Sequence, residues 1–125
     1  MKTILVADDD PVMIKLLELN LKRSGFRVEI CREGLSVVPM ALESLPALAV
    51  IDLMLPGKSG LELIEAFQEE PALAKTPIIV VTGQGKGSTR EQLLAAGART
   101  VFTKPFSPTL LITRIRELLE ETDPA

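Results

Sequence analysis

Ile4-Leu5-Val6-Ala7-Asp8-Asp9-Asp10-Pro11 is the stretch that decides the architecture. Four consecutive apolar residues leave no polar face, which predicts a strand buried on both sides, as in the interior of a parallel sheet. The run stops at three aspartates, and Pro11 then stands where the first turn of a helix tolerates proline best. Outward from it, Ala49-Val50-Ile51 and Ile78-Ile79-Val80-Val81 are apolar in the same unbroken way. Length and β-branched content predict strands over 3–7, 27–30, 48–51, 78–81 and 99–103.

Longer amphipathic stretches lie between these runs. The first helix is expected over 11–24, closing at Gly25, with Met13, Leu16, Leu17 and Leu21 as its apolar stripe. A second is expected over 35–44, kinked at Pro39, and a third over 61–70 after a Ser59-Gly60 start. The fourth covers 89–96 and stops at Gly97. The fifth is capped by Ser107, has Pro108 at its first position, runs to about 121, and turns Ile112, Ile115 and Leu119 inward. Five strands and five helices in strict alternation make an α/β fold, a parallel sheet covered on both faces by right-handed crossovers. Residues 1–121 form one domain, and 122–125 read as a tail or the start of a linker.

The chain has 125 residues, of which 46% are hydrophobic and 25% charged, as expected of a globular domain with a core of its own. Fourteen Lys+Arg against seventeen Asp+Glu give a net charge of −3, a poor basis for direct nucleic-acid binding. A single cysteine, Cys31, excludes an internal disulfide and any cysteine-cluster metal site. With no histidine there is no Ser-His or Cys-His nucleophile, few routes to zinc, and no phosphohistidine on this chain. The N-terminal apolar run is too short for a signal peptide and no segment approaches a membrane span, so a cytoplasmic location is expected.

Ligands of open α/β sheets bind beyond the carboxyl ends of the strands, where strand order reverses. At those ends stand Asp8, Asp9 and Asp10, then Asp52, then Thr82, then Lys104. Asp10 is placed to cap the first helix. Asp52 is the only charge in Leu48-Ala49-Val50-Ile51-Asp52-Leu53-Met54-Leu55, a costly position unless it has a task. Clustered carboxylates raise one another's pKa unless a cation joins them, and a hard divalent ion held by oxygen, Mg²⁺ or Mn²⁺, is their natural partner. Such an ion beside a lysine and a hydroxyl makes a socket for a phosphoryl group, which a carboxylate can accept as an aspartyl phosphate. By contrast, Gly83-Gln84-Gly85-Lys86-Gly87-Ser88 is not a P-loop: Gly87 follows Lys86 where Ser or Thr is needed, and no glycine occupies position 80.

Taken together, Ile4 to Pro11, Ile51-Asp52-Leu53-Met54-Leu55-Pro56-Gly57, Val80-Val81-Thr82-Gly83, Ala95-Ala96-Gly97-Ala98 and Thr103-Lys104-Pro105-Phe106 resemble the receiver domain of two-component response regulators, over essentially the whole chain. The resemblance implies a flavodoxin-like doubly wound sheet of strand order 2-1-3-4-5. It implies that Asp52 is the phosphoacceptor, served by a phosphohistidine on a partner histidine kinase or histidine phosphotransfer protein. Asp8, Asp9, Asp52 and the backbone carbonyl of Met54 would hold Mg²⁺ (or Mn²⁺). Thr82 and Lys104 would bind the phosphoryl oxygens, and the peptide bond before Pro105 would be cis. Such a domain is a signalling switch, with at most self-catalysed phosphotransfer and autodephosphorylation. Its changing surface lies on the fourth helix, fifth strand and fifth helix, with Arg90, Arg99, Arg114 and Arg116 as candidates to line it. That surface would serve a downstream protein target, a fused output domain or a phosphorylation-dependent dimer.

Two positions depart from the family pattern. Val101 stands where most receivers carry a switching aromatic, and Phe102, one place later, should face the other side of the sheet. Ser59 stands where an aspartate commonly precedes Gly60, and can cap the helix as well. Two other readings compete. One is a pseudo-receiver, an interaction module that does not use phosphorylation. The other is a haloacid-dehalogenase-type phosphatase, whose D-x-D-x-[TV] pattern Asp8 to Val12 fits, with Asp8 as nucleophile and Asp10 as general acid. The latter lacks further acidic ligands after Lys104 and leaves Asp52 without a role.

Overall fold

In the computed structural model, which describes residues 1–83 and 88–122, five parallel strands form one sheet: β1 (Thr3–Ala7), β2 (Arg27–Cys31), β3 (Leu48–Asp52), β4 (Ile78–Thr82) and β5 (Thr100–Thr103). Their spatial order is β2-β1-β3-β4-β5, so the chain winds outward from β1 in one direction and then returns past it in the other. The three unbroken apolar runs are the three inner strands. All of β3 and β4 and the last four residues of β1 are buried, whereas β2 and β5, at the edges, are only partly covered.

The helices are α1 (Pro11–Arg23), α2 (Gly34–Ser44), α3 (Gly60–Glu69), α4 (Arg90–Ala96) and α5 (Pro108–Thr122). Alternate strand residues divide the core in two. Ile4, Val6, Val50, Ile79 and Val81 pack against Leu17 and Leu21 of α1 and Leu111, Ile115 and Leu118 of α5. Leu5, Ala7, Ala49, Ile51 and Val80 pack against Val37 and Ala41 of α2, Leu63, Ile64 and Phe67 of α3 and Leu93 of α4. Each such valine, leucine, isoleucine or phenylalanine contributes about 1.5–3 kcal/mol of burial.

The helix starts follow local chemistry. Asp10 caps α1 by accepting from the Val12 N–H, at 3.0 Å. Ser59 and Glu62 form a reciprocal capping box on α3, as do Thr89 and Gln92 on α4, and Ser107 accepts from Leu110 N–H on α5. The buried face of α1 is Ile14, Leu17 and Leu21; Leu16 is 38% exposed. Of the expected stripe, Leu17 and Leu21 are buried and Met13 packs against the same core, while Ile14 takes the inward place expected of Leu16. The helix α2 continues through Pro39, whose missing N–H leaves the Leu35 carbonyl without its usual partner on the solvent side, where both residues are exposed. The Gly83–Ser88 loop is described only at its two ends, and residues 123–125 of the expected tail lie outside the described residues.

Candidate phosphoacceptor site

The crevice opens where the strand order reverses, at the carboxyl ends of β1 and β3. Parallel pairing there sets Ala7 beside Ile51, so the next residues, Asp8 and Asp52, leave neighbouring strands side by side. Both are nearly buried, at 2% and 8% exposure, while Asp9 is exposed. Asp8 accepts a 2.9 Å hydrogen bond from the Asp10 N–H, and Asp52 accepts one of 3.1 Å from the Met54 N–H. These local turns aim each carboxylate out of the sheet edge rather than into the apolar interior.

One carboxylate oxygen from each of Asp8, Asp9 and Asp52 lies within 4.8 Å of the others. The ammonium of Lys104, which follows β5, reaches in to 3.7 Å from Asp8 Oδ2 and 3.6 Å from Asp52 Oδ2. Its backbone N–H donates to the Thr82 carbonyl at 2.8 Å, and the Lys104–Pro105 bond is cis. Thr82 ends β4, one rung beyond the pairing of Asp52 with Val81, and its hydroxyl donates to the Gly83 carbonyl at 3.0 Å.

The electrostatics leave this rim short of positive charge. Burial pushes the Asp8 carboxyl above its usual range and the nearby Asp52 charge adds to that, against the pull of the Asp10 N–H and of Lys104. At an effective dielectric near 20, a carboxylate pair at the rim's spacing repels by on the order of 3 kcal/mol, and Lys104 returns on the order of 4 kcal/mol to each aspartate it meets. Among the described residues, the single Lys104 ammonium is shared by Asp8 and Asp52 and offsets one of the three carboxylate charges, leaving about two negative charges at the rim. Three hard oxygen donors with that residual negative charge fit a divalent cation of the Mg²⁺ or Mn²⁺ type.

Around the rim, Val101 is buried in the core that holds its β4 neighbour Val80 and Leu93 of α4, while Phe102 faces the opposite core and meets Phe106, ring centroids 5.9 Å apart. The Val101 carbonyl accepts from Arg90 Nη1 at 3.1 Å, a tie between α4 and β5. Arg99 pairs with Glu121 at 2.8 Å, and Arg114 bonds the Thr100 hydroxyl at 2.7 Å. Arg116 is turned elsewhere: it donates to the Ser24 carbonyl at the end of α1, so it does not line the α4–β5–α5 face. Sequence reasoning missed two contacts, Arg90 with Val101 and Gly34 with the turn after Asp52; both join residues that nothing in local patterning relates.

The response regulator receiver domain family matches residues 4–116. The chain belongs to that family. Among relatives, it is 36% identical to the phosphate regulon transcriptional regulatory protein PhoB of Rhizobium meliloti (strain 1021) over 97% of this chain and 53% of that protein. It is 32% identical to the DNA-binding dual master transcriptional regulator RpaA of Synechocystis over 98% of this chain and 51% of that protein. The chain thus spans about half the length of these curated relatives. Among solved structures, it superposes with TM-score 0.88 and 29% identity on a CheY-like receiver domain protein from Methanospirillum hungatei, over 98% of this chain and 97% of that one. It also superposes, with TM-score 0.85 and 25% identity, on the receiver domain of the sensor histidine kinase PA1611 from Pseudomonas aeruginosa, over 94% and 97% of the two chains. A magnesium ion is coordinated in the active-site cleft of that neighbour. Among the described residues, no helix is long and apolar enough to cross a membrane.

Proposed function

We propose that this domain is a phosphorylation-operated switch in which Asp52 is the acceptor. The observation that carries the reading is the convergence of Lys104 on both Asp8 and Asp52 at a three-carboxylate rim. Asp8, Asp9, Asp52 and the Met54 backbone carbonyl would hold Mg²⁺ or Mn²⁺, which when bound neutralises charge on phosphoryl oxygens. An Asp52 carboxylate oxygen forms a bond to phosphorus as the N–P bond of a phosphohistidine breaks, the electron pair of that bond returning to the imidazole. The donor is a histidine kinase or phosphotransfer protein, since this chain has no histidine of its own.

The response then follows from rearranged bonds. The Thr82 hydroxyl exchanges its Gly83 carbonyl for a phosphoryl oxygen, and Lys104 exchanges carboxylate contacts for phosphoryl ones. Because the Lys104 N–H is tied to the Thr82 carbonyl, both strand ends move together. Their movement is passed to α4 and β5, where Arg90, Arg99 and Arg114 meet a downstream protein, a fused output domain or a second copy. With Val101 in place of an aromatic, readout rests on the Thr82 and Lys104 contacts. The curated relatives are transcription regulators, so transcription is the output we favour. The phosphatase reading is disfavoured because the Asp10 carboxylate, its general acid, is engaged in capping α1.

The test is intact-mass analysis after incubation with Mg²⁺ and acetyl phosphate. Wild type should gain one hydroxylamine-labile phosphoryl group and Asp52→Asn none. Equal labelling of both would remove the assignment, and no labelling with an intact Mg²⁺ response would favour an interaction module.

A further inference from the structure

The turn after Asp52 is held in place by a residue from another loop. Between β3 and α3 the chain runs Leu53-Met54-Leu55-Pro56-Gly57-Lys58-Ser59, with Leu53 and Leu55 buried and the Met54 side chain 59% exposed. Its far end is pinned by the Gly60 N–H, which donates to the Leu53 carbonyl at 2.9 Å. Its middle is pinned by Gly34, the first residue of α2, whose N–H donates to the Pro56 carbonyl at 2.7 Å. This bond also satisfies one of the N–H groups that every helix start leaves open, here on a helix whose N-cap residue Glu33 makes no side-chain cap.

The approach is too close for any side chain. A methyl group on Gly34 would lie 2.9 Å from Lys58 Cα and 2.8 Å from Lys58 Cβ, and nearer still to the Lys58 amide nitrogen. Backbone atoms cannot swing aside as a side-chain tip does, so such a methyl must push the two loops apart. The turn has little slack to absorb this, since Gly57 already takes φ +95° and ordinary residues rarely follow there.

We propose that Gly34 is a positioning residue for the cation site: by admitting the Lys58 backbone and bonding Pro56, it sets the height of the turn that carries the Met54 carbonyl beside Asp52. The inference rests on the phosphoacceptor reading, which makes that carbonyl a ligand. Gly34 touches neither cation nor phosphoryl group; it acts through backbone placement, as supporting residues around metal sites do.

Calorimetric titration of Mg²⁺ into the metal-free protein tests it, with unfolding followed in parallel. Gly34→Ala should weaken Mg²⁺ binding roughly tenfold, the scale seen when the groups that support metal ligands are lost. Ile115→Val, a trimming of the opposite core, should lower the unfolding midpoint and leave Mg²⁺ affinity at the wild-type value. Gly34→Ala binding Mg²⁺ as wild type does would overturn the proposal. If Gly34→Ala does not fold, Gly57→Ala, which strains the same turn, takes its place with the same two outcomes. A wild-type chain that binds no Mg²⁺ overturns the phosphoacceptor reading, and this inference with it.

Discussion

Lys104 Nζ lies 3.6 Å from Asp52 Oδ2, a separation at which the ammonium is both a counter-charge to the carboxylate and within reach of any group joined to it. The same ammonium meets Asp8 at 3.7 Å, so one cation is shared between two buried acids from adjacent strands. Sharing makes Lys104 movable. Adding negative charge at Asp52 strengthens one side of the pull, and the peptide N–H that binds Lys104 to Thr82 carries the consequence along both strand ends.

Lys104→Met separates modification from response. It should leave Mg²⁺ binding intact or tighter, since a competing positive charge is gone, and phosphoryl labelling of Asp52 should persist. The amide NMR shifts that phosphorylation induces in α4, β5 and α5 should shrink several-fold. Undiminished shifts would show that Lys104 is not part of the readout.

Asp8→Asn should make the metal-free domain more resistant to urea at neutral pH. The folded Asp8 carboxyl titrates above its ordinary value of 3.8, so between those two values the folded state binds more protons than the unfolded one, and stability falls as pH rises through that window. The asparagine variant lacks this component and should also lose the stabilisation that Mg²⁺ confers on wild type. A lower urea midpoint for the variant in EDTA would contradict the placement of Asp8 as an under-compensated buried charge.

Val101→Tyr should destabilise the domain by about 1–3 kcal/mol in urea unfolding, the usual cost of forcing extra volume into a filled site. Val101 is 6% exposed and lies in the core beside Val80 of β4 and with Leu93 of α4. A neutral effect would mean that room for an inward-facing aromatic persists beneath α4.

Arg90→Ala should release the start of α4. The bond from Arg90 to the Val101 carbonyl joins this seven-residue helix to β5, and its loss should cost on the order of 1 kcal/mol. Hydrogen exchange is the measurement: amides in the Arg90–Ala96 helix should exchange several-fold faster, while those of α1 stay as in wild type. Unchanged protection in α4 would assign the helix's hold to its apolar contacts alone.

Most of the site is legible in the chain because strand ends are legible. Unbroken runs at Ile4, Ala49 and Ile78 mark inner strands, and the polar residues that stop them must emerge on one rim of a parallel sheet. The fold follows from the same runs and their alternation with capped helices, and the separate faces of Val101 and Phe102 follow from the strand period. What did not follow is set by contacts between distant segments. Ile14 rather than Leu16 faces the core, a choice between neighbouring apolar positions that the periodicity of α1 leaves open and packing against the sheet decides. Arg116 bonds Ser24, 92 positions away in sequence, and Gly34 fits against Lys58; neither pairing leaves any trace in local composition.

The central claim is that the carboxylate of residue 52, and no other at this rim, takes the phosphoryl group. Treating the protein with phosphoramidate and Mg²⁺, reducing it with borohydride, and sequencing its peptides by mass spectrometry reads this directly, because reduction converts an acyl phosphate to an alcohol at the residue that carried it. The account predicts homoserine at position 52 alone, appearing only when Mg²⁺ is present. Homoserine at position 8 or 9 instead, or modification of residue 52 that is indifferent to Mg²⁺, would contradict it.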